Sequence, residues 1–332
     1  MLQKLYIITG AGGHLAGTII RYLQNTECLV RGLLLPGESL ENQGNVTYVH
    51  GDVTQPETLV PLFAGSEQYD TIVIHAAGLI SIGSKITPKL YSVNVEGTKN
   101  VIRLCQEYSV RRLVYVSSVH AIEEAPKKGI IREVTSFSKD RVIGAYARTK
   151  AEATQAVLDA AKDGLDAVVV HPSGILGPFD QGKNHIIQMV KTYLAGHLPA
   201  GVKGGYDFVD VRDVAQGCLA AAERGKAGEC YILSNRYLSI KDLLAYLQKL
   251  TGGKKMSCLP IQLAKIAAPF SEALGKLTGK RPLFTRYSLY TLQSNGNFSH
   301  EKATKALGYH PRDLKDTLRD TVTYLKTGDC CL

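Results

Sequence analysis

An uninterrupted apolar run of the roughly 18 residues needed to cross a bilayer is missing from this sequence, so no membrane span is expected. Cys-x-x-Cys spacing is missing too. The seven cysteines, at 28, 105, 218, 230, 258, 330 and 331, are scattered and odd in number. That argues against a disulfide framework or a zinc site, and for free thiols in a reducing compartment. The ending Asp-Cys-Cys-Leu places no cysteine fourth from the end, which excludes a prenylation box. No group of His, Asp and Glu has metal-ligand spacing, so no metal is expected. Internal repeats and low-complexity tracts are lacking. Because a strand pattern begins at Leu5, no room is left for a signal peptide, and the expected location is cytoplasmic.

What is present is an ordinary globular balance over 332 residues, with 45% hydrophobic and 21% charged side chains. That length is enough for one large domain or two lobes around a sizeable core. The net charge is +9, concentrated in residues 250–332, with 13 basic against 6 acidic side chains. These charges are dispersed along helical patterns with no nucleic-acid motif. They read as a solvated face, and a small molecule rather than nucleic acid is the expected partner.

Short apolar runs at 5–9, 29–35, 46–50, 71–75, 113–116, 167–171 and 231–234 alternate with helical patterns. In one of these, at 15–24, Leu15, Ile19 and Leu23 share a face. This alternation predicts an α/β fold: a Rossmann-type, doubly wound parallel sheet covered on both sides. From about 175 the rhythm changes. Helical segments near 183–195 and 239–252, and one at 260–277 interrupted by Pro269, suggest a smaller, mostly helical lobe. The expected division is a dinucleotide-binding domain over 1–174, with 207–235 returning to it. A substrate-binding lobe would then be built from 175–206 and 236–332.

The first strand runs straight into Thr9-Gly10-Ala11-Gly12-Gly13-His14-Leu15-Ala16. This fails G-x-G-x-x-G but fits G-x-x-G-x-x-[GA] on Gly10, Gly13 and Ala16. The first glycine makes the tight turn, the second lets the backbone approach a pyrophosphate, and the small third residue lets helix pack on strand. The anion would sit at the helix N-terminus, near His14 and Leu15. Asp52 and Val53, just past the third strand, are placed for an adenine. Ala76, Ala77 and Gly78 end the fourth strand with small residues that let backbone pass close to a cofactor. At the tip of strand two, Leu35 holds the position where an acid would select NAD or an arginine NADP. The loop from Leu35 to Gly44 contains Glu38 and Glu41 but no Lys or Arg. NAD(H) is therefore favoured over NADP(H), with Arg31 the residue able to reverse this.

Tyr146 and Lys150 are four apart and would share one helix face. A free tyrosine has a pKa near 10. An ammonium beside it, together with a positively charged nicotinamide, would bring the phenol into range as a proton carrier. Ser118, with Ser117 as the alternative, ends strand five where a hydroxyl can hold a reacting oxygen. His120 stands two residues on, either touching substrate or bonded to backbone. His171 is expected to pack at the sheet edge.

These motifs fall in the order of the extended short-chain dehydrogenase/reductase family, which the chain resembles over nearly its whole length. Further matches are Asn94-Val95-Glu96-Gly97-Thr98, His171-Pro172-Ser173-Gly174, Phe208-Val209-Asp210-Val211-Arg212-Asp213-Val214-Ala215, and Lys302-Ala303 with Leu307-Gly308-Tyr309. The resemblance implies Ser118, Tyr146 and Lys150 as the catalytic set, Asn94 as a structural or relay residue, and Pro172 and Ser173 bordering the nicotinamide. It also implies a homodimer through the helix carrying Tyr146.

Within that family, Val119-His120 replaces the Asp-Glu pair that follows the catalytic hydroxyl in sugar dehydratases. Tyr206 replaces the arginine with which nucleotide-sugar epimerases clamp a diphosphate. An alcohol/ketone oxidoreductase is left as the expected activity. The chain is most similar to the 3β-hydroxysteroid dehydrogenase and dihydroflavonol-reductase-like branch, in which Pro282-Leu283-Phe284-Thr285-Arg286-Tyr287 has counterparts. Apolar residues at 259–268, Phe270, Leu274, Phe284, Tyr287 and Tyr290 would line a pocket for a hydrophobic ring. A nucleotide-sugar 4-epimerase is the alternative. A non-catalytic dinucleotide sensor or assembly subunit is a further one, although such proteins typically lose the tyrosine or the lysine.

Overall fold

Strand residues that alternate between two apolar faces need cover on both sides, and the computed structural model supplies it. The structure describes residues 2–125, 129–180, 184–266 and 286–332. Seven strands form one parallel sheet in the order β10-β6-β5-β4-β1-β2-β3. They are β1 (Lys4–Thr9), β2 (Leu29–Leu34), β3 (Val46–His50), β4 (Asp70–His75), β5 (Arg112–Val116), β6 (Ala167–Pro172) and β10 (Cys230–Leu233). Leu5, Ile7, Val73, Leu113 and Val169 face one core. Tyr6, Ile8, Ile72, Val114 and Val168 face the other. This is the period of two expected of a sheet covered twice.

Helices α1 (His14–Leu23), α2 (Gly97–Glu107) and α3 (Ala145–Lys162) connect successive strands. Residues of α2 and α3 fill the first core, while α1 and, later in the chain, α5 (Val211–Arg224) fill the second. The order reverses between β1 and β4. In the parallel register Thr9 lies beside Leu33 on one side and His75 on the other. The crevice for a ligand opens at such a switch point, outside the carboxyl ends of the strands.

The second lobe contains more strand than its sequence suggests. A three-stranded sheet, β11-β9-β7, pairs β7 (Gly174–Leu176) and β9 (Gly205–Asp210) with β11 (Arg236–Ser239). A two-stranded piece joins β8 (Gly201–Val202) to β12 (Cys258–Leu259). Residue 207, the expected point of return to the larger unit, lies inside β9. Further helices are α4 (His185–Leu194), α6 (Ile240–Thr251), α7 (Glu301–Leu307) and α8 (Leu314–Thr327), with a short one at Arg286–Thr291 that carries Tyr287 and Tyr290. Of the expected helix 260–277, residues 261–266 are helical, and residues 267–277, including Pro269, lie outside the described residues. So do Phe270, Leu274 and the stretch 282–285.

A buried ion network fixes the C-terminal helix. Asp210 caps α5 by accepting from Arg212 N at 2.8 Å. Arg212 answers with paired bonds to Asp210 at 3.0 and 2.8 Å and reaches Asp320 on α8 at 2.8 Å. Arg312 pairs with Asp213 at 2.8 Å. Each buried charge has a partner, the condition under which such groups are tolerated. Among the described residues no helix is long and apolar enough to cross a membrane.

Candidate active site

β1 delivers the chain into the crevice, and its first turn is shaped by what a side chain would strike. Gly10 has φ +74°, and a Cβ there would lie 3.0 Å from Ala77 Cα and 3.1 Å from its nitrogen. Only hydrogen fits between these two backbones. Gly13 N donates to Gly10 O at 2.8 Å, closing the turn. Gly13 then caps α1 with no side-chain acceptor, so the turn entering His14 and Leu15 has no side-chain cap. Unpaired amides of this kind suit an anion. His14 itself donates through Nε2 to Pro178 O at 2.6 Å and so ties the loop to the second lobe.

Glu38 reaches over this loop at Gly12. Its Oε2 accepts from Leu35 N at 3.1 Å, and its two carboxylate oxygens lie 2.8 and 3.0 Å from where a Gly12 Cβ would be. Arg31 is turned elsewhere, donating to Leu62 O and Ala64 O at 3.2 and 2.7 Å. Asp52 uses Oδ1 locally, accepting from Thr54 N and Oγ1 at 2.9 and 2.8 Å. Val53 is buried against Gly97.

At the strand ends, Ser117 and Ser118 diverge. Thr154 Oγ1 donates to Lys150 O, and Ser117 Oγ meets Thr154 Oγ1 at 2.6 Å inside the core. Ser118 is the one on the Tyr146 side, near enough that its hydroxyl favours the ionised form of the Tyr146 phenol. Its Oγ also accepts from His120 N at 3.2 Å. Its carbonyl is held by His171 Nδ1 at 2.9 Å, with His171 stacked on Phe137. His171 is therefore not at the sheet edge. It sits fully buried on β6, between β5 and β10, and supports Ser118 from behind.

Lys150 shares a helix with Tyr146, but its ammonium points inward. Nζ donates to Val116 O at 2.7 Å and to Tyr115 Oη at 3.1 Å, and lies 4.6 Å from the centre of the Tyr115 ring. Burial lowers the Lys150 pKa to about 7 and raises that of Tyr146 to about 12, the Ser118 hydroxyl offsetting only part of the latter. The ammonium, expected to act on the phenol together with a positively charged nicotinamide, does not by itself make it acidic here. Desolvation outweighs attraction when the ammonium spends its hydrogens on other acceptors.

Behind Lys150 runs a fully assigned chain of hydrogen bonds. Ala77 N donates to Thr9 Oγ1 at 3.0 Å, leaving the Thr9 hydrogen for His75 Nδ1 at 2.7 Å. His75 is neutral, since burial brings its pKa down to about 3. Its remaining hydrogen, on Nε2, goes to Thr98 Oγ1 at 3.1 Å, and Thr98 donates to Asn94 O at 2.7 Å. A hydroxyl with one donor and two lone pairs satisfies all of these. Asn94, in the π turn Ser92–Glu96, spends both side-chain hydrogens on Leu79 O and Thr149 Oγ1, each at 3.0 Å, and accepts from Leu79 N at 2.8 Å. Its side chain therefore pins the loop after Gly78.

The outer wall is aromatic. His120 and Tyr206 stack at 5.3 Å with 13° between planes, and His120 Nε2 meets Tyr206 Oη at 3.0 Å. The His120 ring stands edge-on to Tyr146 at 6.1 Å and tilted to Tyr287 at 6.3 Å. Tyr287 stacks on Tyr290, whose hydroxyl donates to Glu124. Burial lowers the His120 pKa to about 4, so the imidazole is neutral at pH 7.

Residues 6–234 match the model of the NAD dependent epimerase/dehydratase family. The chain belongs to this family. It is an enzyme of the extended short-chain dehydrogenase/reductase type, whose members are NAD-dependent dehydrogenases, reductases and epimerases. It is 29% identical over 332 residues to a putative dihydroflavonol 4-reductase of Synechocystis sp., covering 98% of this chain and 95% of that one. It is 28% identical over 357 residues to 3 beta-hydroxysteroid dehydrogenase type 7 of Homo sapiens, covering 93% and 92% respectively. The solved structure of gox2253 superimposes with a TM-score of 0.81 at 31% identity, over 98% of each chain.

For this family member, the fold brings Gly10, Gly13, Ala77, Ser118, Tyr146 and Lys150 to one crevice, with His120 and Tyr206 opposite. Pro172 and Ser173 lie buried at the end of β6. Ion pairs on α3 are Lys162–Asp159 within the helix and Glu152 with Lys139 from the turn before it. Sequence reasoning passed over Tyr115, His75, Thr9 and Thr98. Nothing in spacing marks them, because they sit on separate strands and a helix and meet only through the register.

Proposed function

We propose that this enzyme interconverts a secondary alcohol and a ketone on a hydrophobic ring substrate, using NAD(H). One observation carries the reading. Ser118 and Tyr146 converge beside the stacked His120–Tyr206 pair, Ser118 Oγ accepting from His120 N at 3.2 Å and the Tyr146 ring standing edge-on to His120 at 6.1 Å. A carbonyl oxygen reaching both hydroxyls would place its ring against those aromatic faces, the contact geometry that rings prefer.

A nicotinamide dinucleotide suits the cradle, because Gly10 leaves only backbone width beside Ala77 and the α1 amides lack a side-chain cap. Gly10, Gly13, His14, Leu15 and Val53 would hold its adenosine and phosphate portion. Ala76, Gly78, Lys150, Pro172 and Ser173 would border its ring. When bound, that group supplies or accepts the hydride. Tyr146 moves the proton to or from the substrate oxygen, and Ser118 holds that oxygen in line. Lys150, anchored to Val116 O and Tyr115 Oη, lies one helical turn away, and its protonated form would stabilise a developing phenolate. Glu38 supports NAD over NADP. Its carboxylate lies over Gly12 where the adenosine ribose would approach, and a phosphate on the 2′-oxygen would meet like charge.

The epimerase reading needs a cation for a diphosphate, and Tyr206 with its bond to His120 does not provide one. The test is turnover of cyclic ketones with NADH and with NADPH, in the wild type and in Tyr146→Phe. The variant is expected to lose about 10²–10⁴-fold in kcat while binding NADH unchanged. Undiminished turnover, or tight binding of a UDP-sugar, would defeat the proposal.

A further inference from the structure

Between Leu243 and His300 the sequence has eight basic residues and one acidic, Glu272. Along the chain these charges look like an ordinary solvated face. The structure sets aliphatic side chains among them. In the helical stretch 261–266, Leu263 is 53% exposed and Ile266 67%, and Leu259 on β12 is 37% exposed. Residues three apart share a helix face, so Leu263 and Ile266 form one outward strip. The inward face is already satisfied, because Ile261 and Ala264 pack with Val202 and Leu289. Leu289 belongs to the short helix that carries Tyr287. The strip therefore lies one layer out from the aromatic wall of the candidate site.

Cations frame it. Lys265 stands between Leu263 and Ile266 in the helical stretch. Lys203 N donates to Leu259 O at 2.9 Å, which sets Lys203 at the edge of β12. Lys254 and Lys255 lie in the segment leading into β12. All four lysines are exposed, and among the described residues none pairs with a carboxylate. Asp242, the acid preceding this stretch, is engaged at the start of α6, where Ser239 Oγ donates to it at 2.6 Å.

An apolar strip rimmed by charge marks an interaction surface. Nucleic acid would use the lysines but has little to offer leucine and isoleucine, since its bases stack on aromatic rings. A second copy docked on the same face would set lysine against lysine. A bilayer with anionic headgroups uses both features. The aliphatic tips enter the acyl boundary while the ammonium groups stay at headgroup level. We infer that Leu259, Leu263 and Ile266, with Lys203, Lys254, Lys255 and Lys265, form a docking surface for an anionic lipid bilayer. Attachment is peripheral, and no helix among the described residues is long and apolar enough to cross.

The test is co-sedimentation of the full chain with vesicles of phosphatidylcholine, alone and with about 30% phosphatidylglycerol. In about 0.1 M salt, half of the protein should pellet with the anionic vesicles below about 1 mM lipid, and about tenfold more lipid should be needed without phosphatidylglycerol. Salt at about 1 M shortens the screening length from about 10 to about 3 Å and should weaken binding about tenfold. Leu263→Ser with Ile266→Ser, and separately Lys254→Glu with Lys255→Glu, should each cost about tenfold in binding. Melting temperatures should stay within about 2 °C of wild type, because all four side chains are exposed. No pelleting at about 1 mM anionic lipid, equal binding to both vesicles, or undiminished binding by either double variant overturns the inference. So does a dimer in sedimentation velocity that Leu263→Ser with Ile266→Ser abolishes, because a second copy then covers the strip. Should a variant fail to fold, the wild-type ratio between the two vesicles decides alone, and a ratio under about twofold overturns the inference. Binding is read without turnover, so failure here leaves the oxidoreductase reading standing, and failure of that reading leaves this surface standing.

Discussion

Replacing Lys150 by methionine separates the cost of burying an ammonium from its use. Lys150 is 4% exposed, and burial takes its pKa from 10.5 to about 7. Between those values the unfolded chain holds a proton that the folded chain has released, so stability rises with pH across that window. Below pH 7 the charged form must be carried folded, at a handicap of about 5 kcal/mol from a shift of about 3.5 units at 1.36 kcal/mol each. At pH 9 about 2 kcal/mol of it remains. Methionine keeps length and removes charge, but leaves Val116 O and Tyr115 Oη without their donor, at a loss of about 1–3 kcal/mol each. The net sign at one pH is therefore a balance, whereas the pH dependence is not. The difference in unfolding free energy, variant minus wild type, should narrow by about 3 kcal/mol from pH 6 to pH 9. Urea melts of the nucleotide-free protein at the two pH values measure it. Tyrosines, histidines and the other lysines are shared by both proteins and cancel. Parallel curves would refute the placement of a charged amine in that core.

Two smaller predictions concern the dinucleotide cradle. Glu38→Ala should improve NADPH binding relative to NADH by about tenfold, by removing one like charge. Fluorescence titration with the two reduced nucleotides reads the ratio, and an unchanged ratio would mean the carboxylate does not face the ribose. Gly10→Ala should destabilise the free protein by about 1–2 kcal/mol or more, since φ +74° is unfavourable for an L-residue and Ala77 stands 3.0 Å away. It should also abolish nucleotide binding. A melting temperature within a degree or so of wild type would contradict the close approach of the two backbones.

The strands were legible because each is a short apolar run with turn residues at its ends, and a sheet covered on both faces demands that pattern. Tyr146 and Lys150 were legible because four residues make one helical turn. Ser118 was preferred from the sequence with Ser117 as the alternative, since neighbouring strand-end serines are chemically identical and only the direction of each side chain differs. The second lobe read as mostly helical because β7, β8, β11 and β12 are two to four residues long. Runs so short carry too little periodicity to register, and pairing with distant strands decides them.

The order of apolar runs, the glycines ahead of α1 and the Tyr146–Lys150 spacing were determined by sequence alone, because each expresses local geometry over a few residues. The direction of the Lys150 ammonium, the carboxylate of Glu38 over Gly12 and the outward face of Leu263 and Ile266 were decided by tertiary structure. Each depends on which atoms from remote parts of the chain arrive alongside. Electrostatics in a buried crevice is set by those neighbours and by the exclusion of water, neither of which is written in spacing.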